Sequence, residues 1–174
     1  LDTVRSGRGF LPQLLFVCLA VLAPAAAPAQ TWDVAGGYSY LRDTKTDLDF
    51  SRGWLASVAR KVHGVWAVGE VDGHYSTLPF VIGQADLSIH SFLAGGRIGA
   101  KVGRFREFAQ LLGGGVRSQG AAFGSSSSDF RGTVQLGLGL DAPLPRNLWA
   151  RVQLDTDGKL GEVRMAATLA YSFP

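Results

Sequence analysis

From residue 32 onward the apolar positions recur every second residue rather than every 3.6. The clearest stretch is 130–142. Phe130, Gly132, Val134, Leu136, Leu138 and Leu140 share one face, and Arg131, Thr133, Gln135, Gly137, Gly139 and Asp141 share the other. Residues 148–155 repeat the alternation, as do 163–173, where Val163, Met165, Ala167, Leu169, Tyr171 and Phe173 oppose Arg164, Ala166, Thr168, Ala170 and Ser172. Near the start, Trp32, Val34, Gly36, Tyr38 and Tyr40 form a face of their own. Four more strands are expected over about 52–62, 65–76, 86–101 and 105–117. In the third of these eight, Glu70, Asp72, His74 and Ser76 lie opposite Val65, Ala67, Gly69, Val71, Gly73 and Tyr75. For 86–101 the facing stays open, because a bulge at Gly95-Gly96 would switch it midway.

The joins between these strands alternate in length. Long polar joins are expected at 43–49, 77–85 and 118–129, the last with a run of four serines. Short joins fall at His63-Gly64, Gly103-Arg104 and 143–146, and a modest one at 157–161. Long and short joins therefore collect at opposite ends. That is the habit of an up-and-down barrel in an outer membrane, with short periplasmic turns and longer external loops. Strands of roughly 10–12 residues are also long enough to cross a bilayer when tilted. Trp32, Trp66 and Phe173 fall toward the short-turn end and Tyr38, Tyr40 and Tyr75 toward the long-loop end, where interfacial aromatics belong.

The first 29 residues break the pattern. Arg5 and Arg8 precede an apolar run from Phe10 to Leu22, followed by small residues and an Ala27-Pro28-Ala29 site. These parts read as a cleaved secretory signal peptide over 1–29, with the barrel domain at 30–174. The apolar run is shorter than the roughly 20 residues of a membrane-spanning helix. Val17 precedes Cys18, so a lipoprotein signal is not expected.

Composition changes the picture only modestly. The chain of 174 residues is 47% hydrophobic and 18% charged, with 23 glycines, one cysteine and a formal charge of +3. That excludes a disordered chain, a disulfide scaffold and a Cys-based zinc site. The charge is too mild for a nucleic-acid binder. The glycines suit the tight curvature of a small barrel.

Charge placement matters more. In a membrane barrel the polar face points inward, and eight strands enclose a space only as wide as the side chains filling it. The polar face holds Glu70, Asp72, Arg131, Arg151, Asp155 and Arg164, with Arg97 and Gln110 added if 86–117 follows suit. Enclosed charges need partners. An interior network of arginines and carboxylates is therefore expected, centred on Glu70 and Arg151.

The segments Val34-Ala35-Gly36-Gly37-Tyr38-Ser39-Tyr40, Ser91-Phe92-Leu93-Ala94-Gly95-Gly96-Arg97 and 108–115 resemble those of eight-stranded outer-membrane barrels of the OmpA-like and OmpX-like kind. The resemblance implies a closed all-β, antiparallel, up-and-down transmembrane barrel in the outer membrane of a Gram-negative-type bacterium. It implies outer-membrane lipid and the barrel-insertion machinery as partners. Tyr171 and Phe173 resemble the C-terminal assembly signal, although Pro174 follows where that family usually ends on the aromatic. No cofactor, metal or nucleic-acid partner is expected, and the chain is expected to be a monomer.

The function expected is non-catalytic, in envelope structure or surface interaction through external loops. Two alternatives stand beside it. A soluble lipocalin-like or streptavidin-like ligand-binding barrel would turn its apolar face inward. A lipid-modifying enzyme would resemble the small lipid A deacylases, which place His and Ser two residues apart on a lipid-facing strand. His74-Tyr75-Ser76 has that spacing, but His74 shares the polar face of Glu70 and Asp72, and Thr77 stands where that family has Asn. A His oriented by a carboxylate next to a Ser is what nucleophilic catalysis would need.

Overall fold

In this sequence β-branched, aromatic and small residues alternate with polar ones, and antiparallel strands bury one face while exposing the other. The computed structural model describes residues 32–80, 83–122, 125–158 and 161–173. The expected signal peptide lies outside the described residues. The strands are β1 (Trp32–Asp43), β2 (Leu48–Phe50), β3 (Arg52–Val62), β4 (Val65–Phe80), β5 (Gly83–Val102), β6 (Phe105–Ala122), β7 (Ser125–Pro143), β8 (Leu148–Asp157) and β9 (Glu162–Phe173). Each is antiparallel to its neighbours, and β1 closes on β9 from Trp32↔Phe173 to Asp43↔Glu162. Closure leaves no open edge in the body of the barrel, and only the far ends of β4 and β7 pair on one side alone.

Nine strands make eight staves. Both β2 and β3 pair with the same side of β1, β3 along Trp32–Tyr38 and β2 along Leu41–Asp43. They form one stave broken at Ser51, whose carbonyl accepts a 2.5 Å hydrogen bond from the Tyr38 hydroxyl. The turns follow backbone chemistry. His63 and Gly64 both have positive φ, 49° and 91°, as a two-residue type I′ hairpin between Val62 and Val65 requires.

Two expected loops are largely strand. Residues 77–80 continue β4, and residues 83–85 begin β5. β6 continues to Ala122, and β7 starts at Ser125 and takes in the serine run. The serine- and glycine-rich stretch 118–129 and the stretch 77–85 with its Pro79 both lack two-residue alternation, so periodicity does not reveal them. β4 to β7 therefore project beyond the shorter β1, β3, β8 and β9 at the long-loop end.

The outer wall carries a broad apolar surface. Leu136 is 56% exposed, Leu138 54%, Leu111 57%, Val152 59% and Leu169 58%. The inner face holds Glu70, Asp72, Arg97, Gln110, Asp141, Arg151, Gln153, Asp155 and Arg164, all buried. On β5 the odd positions Ile89, Ser91, Leu93 and Arg97 turn inward, which answers the open facing of that strand. Trp66 also faces inward, packed on Ala59, Val68, Leu93 and Leu112 rather than standing in an interfacial ring. At the long-loop end Leu41, Phe50, Ile89 and Val116 form an apolar cap over the polar lumen, with Leu48 and Leu87 packed against it.

Candidate functional site

The lumen is built from cross-strand partners. Asp141 pairs with Arg151 in the β7–β8 register, Asp155 with Arg164 between β8 and β9, and Arg97 with Gln110 between β5 and β6. Residues directly opposite on one face are the natural contacts of a sheet.

Toward the short-turn end lies a balanced layer. Arg151 grips Asp141 with two bonds, Nε to Oδ1 at 2.7 Å and Nη2 to Oδ2 at 3.0 Å. The same Nη2 donates to Asp33 at 3.1 Å. Arg106 reaches Asp141 at 2.9 Å and rests on the Trp149 ring, 3.7 Å from its centre. Ser172 donates to Asp33 at 3.0 Å. Two arginines thus meet two carboxylates.

Deeper inside, Arg164 is the hub. It contacts Glu70, Asp72 and Asp155, the last at 2.8 Å, and donates to the Gln135 side-chain oxygen at 3.0 Å. Among the described residues Arg97 makes no ion pair. It donates to Gln110 Oε1 at 2.8 and 3.0 Å, and Gln110 Nε2 donates to Asp155 at 3.0 Å. The amide thereby links an arginine to the hub. Gln153 bridges Glu70 and Asp155 at 3.3 and 2.9 Å. Gly137, opposite Asp155, leaves the room: a Cβ there would fall 1.9 Å from Asp155 Oδ1.

Glu70, Asp72, Asp155 and Arg164 come together, with Arg97 joined through Gln110. Arg151 stands in the other layer, so Glu70 and Arg151 do not form a common centre. Arg131 is a correction. It shares the inward parity but sits above the cap, exposed, paired with Asp129 of its own strand at 3.0 Å. Tyr171 and Phe173 share the outward face beside β1, their rings stacked with centroids 5.9 Å apart.

His74 does not pair with Ser76. Its Nε2 lies 2.9 Å from Ser39 Oγ, and its Nδ1 lies 3.2 Å from Asp72 Oδ1. Ser76 instead donates to the Asp49 carbonyl at 3.0 Å. Ser39 went unseen in the sequence because it lies on β1, two staves from His74. The ring crosses the bare backbone of Gly53 on β3, where a Cβ would come within 2.4 Å of the Ser39 carbonyl and 2.5 Å of His74 Cδ2. The trio has the order of a hydroxyl–imidazole–carboxylate relay, but Ser39, His74 and Asp72 are 0%, 1% and 2% exposed, so no substrate can reach the hydroxyl. Among the described residues no group of His, Cys, Asp and Glu is arranged to hold a metal.

At the long-loop rim, Asp43, Asp157 and Glu162 face one another in register on β1, β8 and β9. Burial, with the nearby Asp157 and Asp43 charges, pushes the Glu162 carboxyl up to about 7.

No protein-family model matches the chain, and no curated protein matches it significantly. Solved structures do share its fold. Ail, the attachment invasion locus protein of Yersinia pestis, is 13% identical with a TM-score of 0.54, covering 82% of this chain and 95% of its own. Neisserial surface protein A is 10% identical with a TM-score of 0.64, covering 85% of this chain and 100% of its own. The N-terminal β-barrel domain of Pseudomonas aeruginosa OprF is 14% identical with a TM-score of 0.55, covering 84% and 100%. All three are eight-stranded outer-membrane barrels, and this chain has their closed antiparallel architecture.

Proposed function

We propose that the chain is an integral outer-membrane barrel without catalysis, which acts in envelope structure and surface interaction through its projecting hairpins. The observation that carries this reading is the inversion of its two faces. Leucines and valines cover the outer wall, while an ion-pair and hydrogen-bond network fills the inside. A soluble lipocalin-like barrel needs the opposite arrangement. With the long-loop end outward, the projecting ends of β4 to β7 reach into the exterior. Tyr171 and Phe173 would serve as the assembly signal read by the insertion machinery, and outer-membrane lipid would surround the wall.

Fractionation tests the placement. Recovery in the membrane fraction, with extraction only by detergent, is expected, and recovery in the soluble periplasm overturns it. Planar-bilayer recording tests the filled lumen. No stable open conductance is expected, because the cap and both layers block the axis. Large steady openings would refute it.

A further inference from the structure

The short-turn end carries charge of one sign. Its three hairpin turns, 60–65, 101–105 and 143–148, hold Arg60, Lys61, Lys101, Arg104 and Arg146 and no Asp or Glu. At the other end the segment 43–49 alone holds three Asp. Arg60 and Arg104 lie over the Trp32 and Phe105 rings. Lys61, Lys101 and Arg146 are exposed, and none makes an ion pair or a side-chain hydrogen bond among the described residues. Each turn therefore brings one unengaged cation.

Parity directs two of them to the mouth of the barrel rather than to its wall. Lys61 continues the inward set Leu55, Ser57 and Ala59, while Val62 beside it is outward and 45% exposed. Lys101 keeps the parity of the buried Arg97 and pairs in register with Arg106, while Val102 is outward and 50% exposed. Arg146 stands in the β7–β8 turn, where it and Asn147 both have φ of 61°. Gly and Asn are the residues such a backbone favours, so the turn itself gives no reason for an arginine.

The carboxylates at this end are already spoken for. Asp33 and Asp141 are shared between Arg106 and Arg151, and Glu107 has the outward parity of Leu111. Beneath the turns, Arg106 Nε and Trp149 Nε1 are buried donors with no acceptor among the described residues. The mouth thus has both positive charge and donors in excess. An eight-stranded barrel is narrow enough for long side chains from three turns to reach one occupant.

We propose that this mouth binds an acidic peptide segment, a run of Asp or Glu on a partner protein presented from the periplasmic side. Lys61, Lys101 and Arg146 take its carboxylates, and Arg106 and Trp149 supply donors beneath them. Three cations on separate turns suit a chain of charges better than a single phosphate. Alternate side chains of an extended peptide stand about 7 Å apart, and a lysine ammonium is a point charge that meets a carboxylate from any direction. Lipid headgroups would meet the outward positions, which here are Val62 and Val102.

The partner's compartment rests on the membrane placement proposed above, and the test separates the two. The detergent-purified barrel is titrated with fluorescently labelled hexaglutamate, hexaserine and hexalysine, and binding is read by anisotropy at low and high salt. Saturable binding of hexaglutamate alone is expected, weakening as salt rises. Exposed ion pairs are individually weak, so Lys61→Gln, Lys101→Gln and Arg146→Gln together should lower the affinity about ten-fold, and each alone about two-fold. Removing the same charge at the other end, with Arg42→Gln, Arg52→Gln and Arg117→Gln, should leave the affinity unchanged. Lys61→Glu, Lys101→Glu and Arg146→Glu together should bind hexalysine instead, which only a folded mouth can do. Equal losses from the two neutralising triple substitutions overturn the inference, as does displacement of hexaglutamate by phosphatidylglycerol at the same concentration of charge. A barrel that needs detergent yet binds no hexaglutamate loses only this inference. One that is soluble without detergent loses the membrane reading, and with it the periplasmic source of the peptide.

Discussion

Replacing Arg164 with Met tests whether the lumen is a coupled network or a set of indifferent polar fillers. Arg164 is 1% exposed and is the shared cation of Glu70, Asp72 and Asp155. Met replaces its aliphatic stem but leaves those carboxylates facing one another across a space closed to water. Removing one partner of a buried pair costs about 3–5 kcal/mol. Here one cation serves three anions, so that range is a floor. It corresponds to a fall of about two to nearly four orders of magnitude in the folding equilibrium constant. The carboxylates would escape part of the penalty by taking up protons, so the loss should shrink at low pH. The assay is reversible urea unfolding in lipid vesicles, followed by tryptophan fluorescence at pH 8 and pH 5. Adding Asp155→Asn to Arg164→Met should recover part of the stability at pH 8. A loss below about 1 kcal/mol, or one independent of pH, would refute the reasoning.

Three further substitutions probe the wall, the glycine gap and the rim. Leu138→Arg places a charge on the middle of the apolar wall and should destabilise the barrel in vesicles by about 2–4 kcal/mol, where a solvated wall would tolerate it. Gly53→Ala drives a methyl into the Ser39 carbonyl and the His74 ring. A loss of roughly 1–3 kcal/mol is expected by urea unfolding, and wild-type stability would show that the His74–Ser39 contact does not depend on that gap. Glu162, whose folded carboxyl is raised to about 7 by burial and its acidic neighbours, binds its proton more tightly folded than unfolded. Its stabilising effect is thus fully present below the unfolded value and is lost as pH rises through 7. Glu162→Gln should therefore raise the thermal midpoint at pH 8 more than at pH 4, and equal shifts at both would count against this account.

Strand parity was readable because alternation reports facing directly: Leu136 and Leu138 go out, Asp155 and Arg164 go in. Parity says nothing about height along the axis. Height depends on the stagger that accumulates from stave to stave around a barrel. Glu70 and Arg151 each sit near mid-strand, yet Glu70 lies opposite Leu93 and Ser57 while Arg151 lies opposite Asp141 and Thr168, in another layer. Arg131 fails for the same reason, having the right face at the wrong height. The His74–Ser39 contact was hidden further, since it skips a strand through the absence of a side chain at Gly53. The projecting parts of β4 to β7 left no trace because neither the Ser- and Gly-rich ends of β6 and β7 nor the Pro79-containing end of β4 alternates apolar with polar.

These heights also decide where activity can reside. Below the cap, the polar side chains of the hub and of the Arg151 layer largely satisfy one another, and the most suggestive chemical grouping, Ser39 with His74 and Asp72, has no approach from solvent. A narrow barrel whose interior charges are tied into ion pairs and hydrogen bonds cannot admit a substrate there without breaking bonds worth several kcal/mol. Arg52 and Arg117 stand exposed on the outer wall, and the ends of β4 to β7 project beyond the other strands. On the proposed reading, surface interaction falls to the outer wall and the long hairpins, with the lumen as the interior that holds both in place.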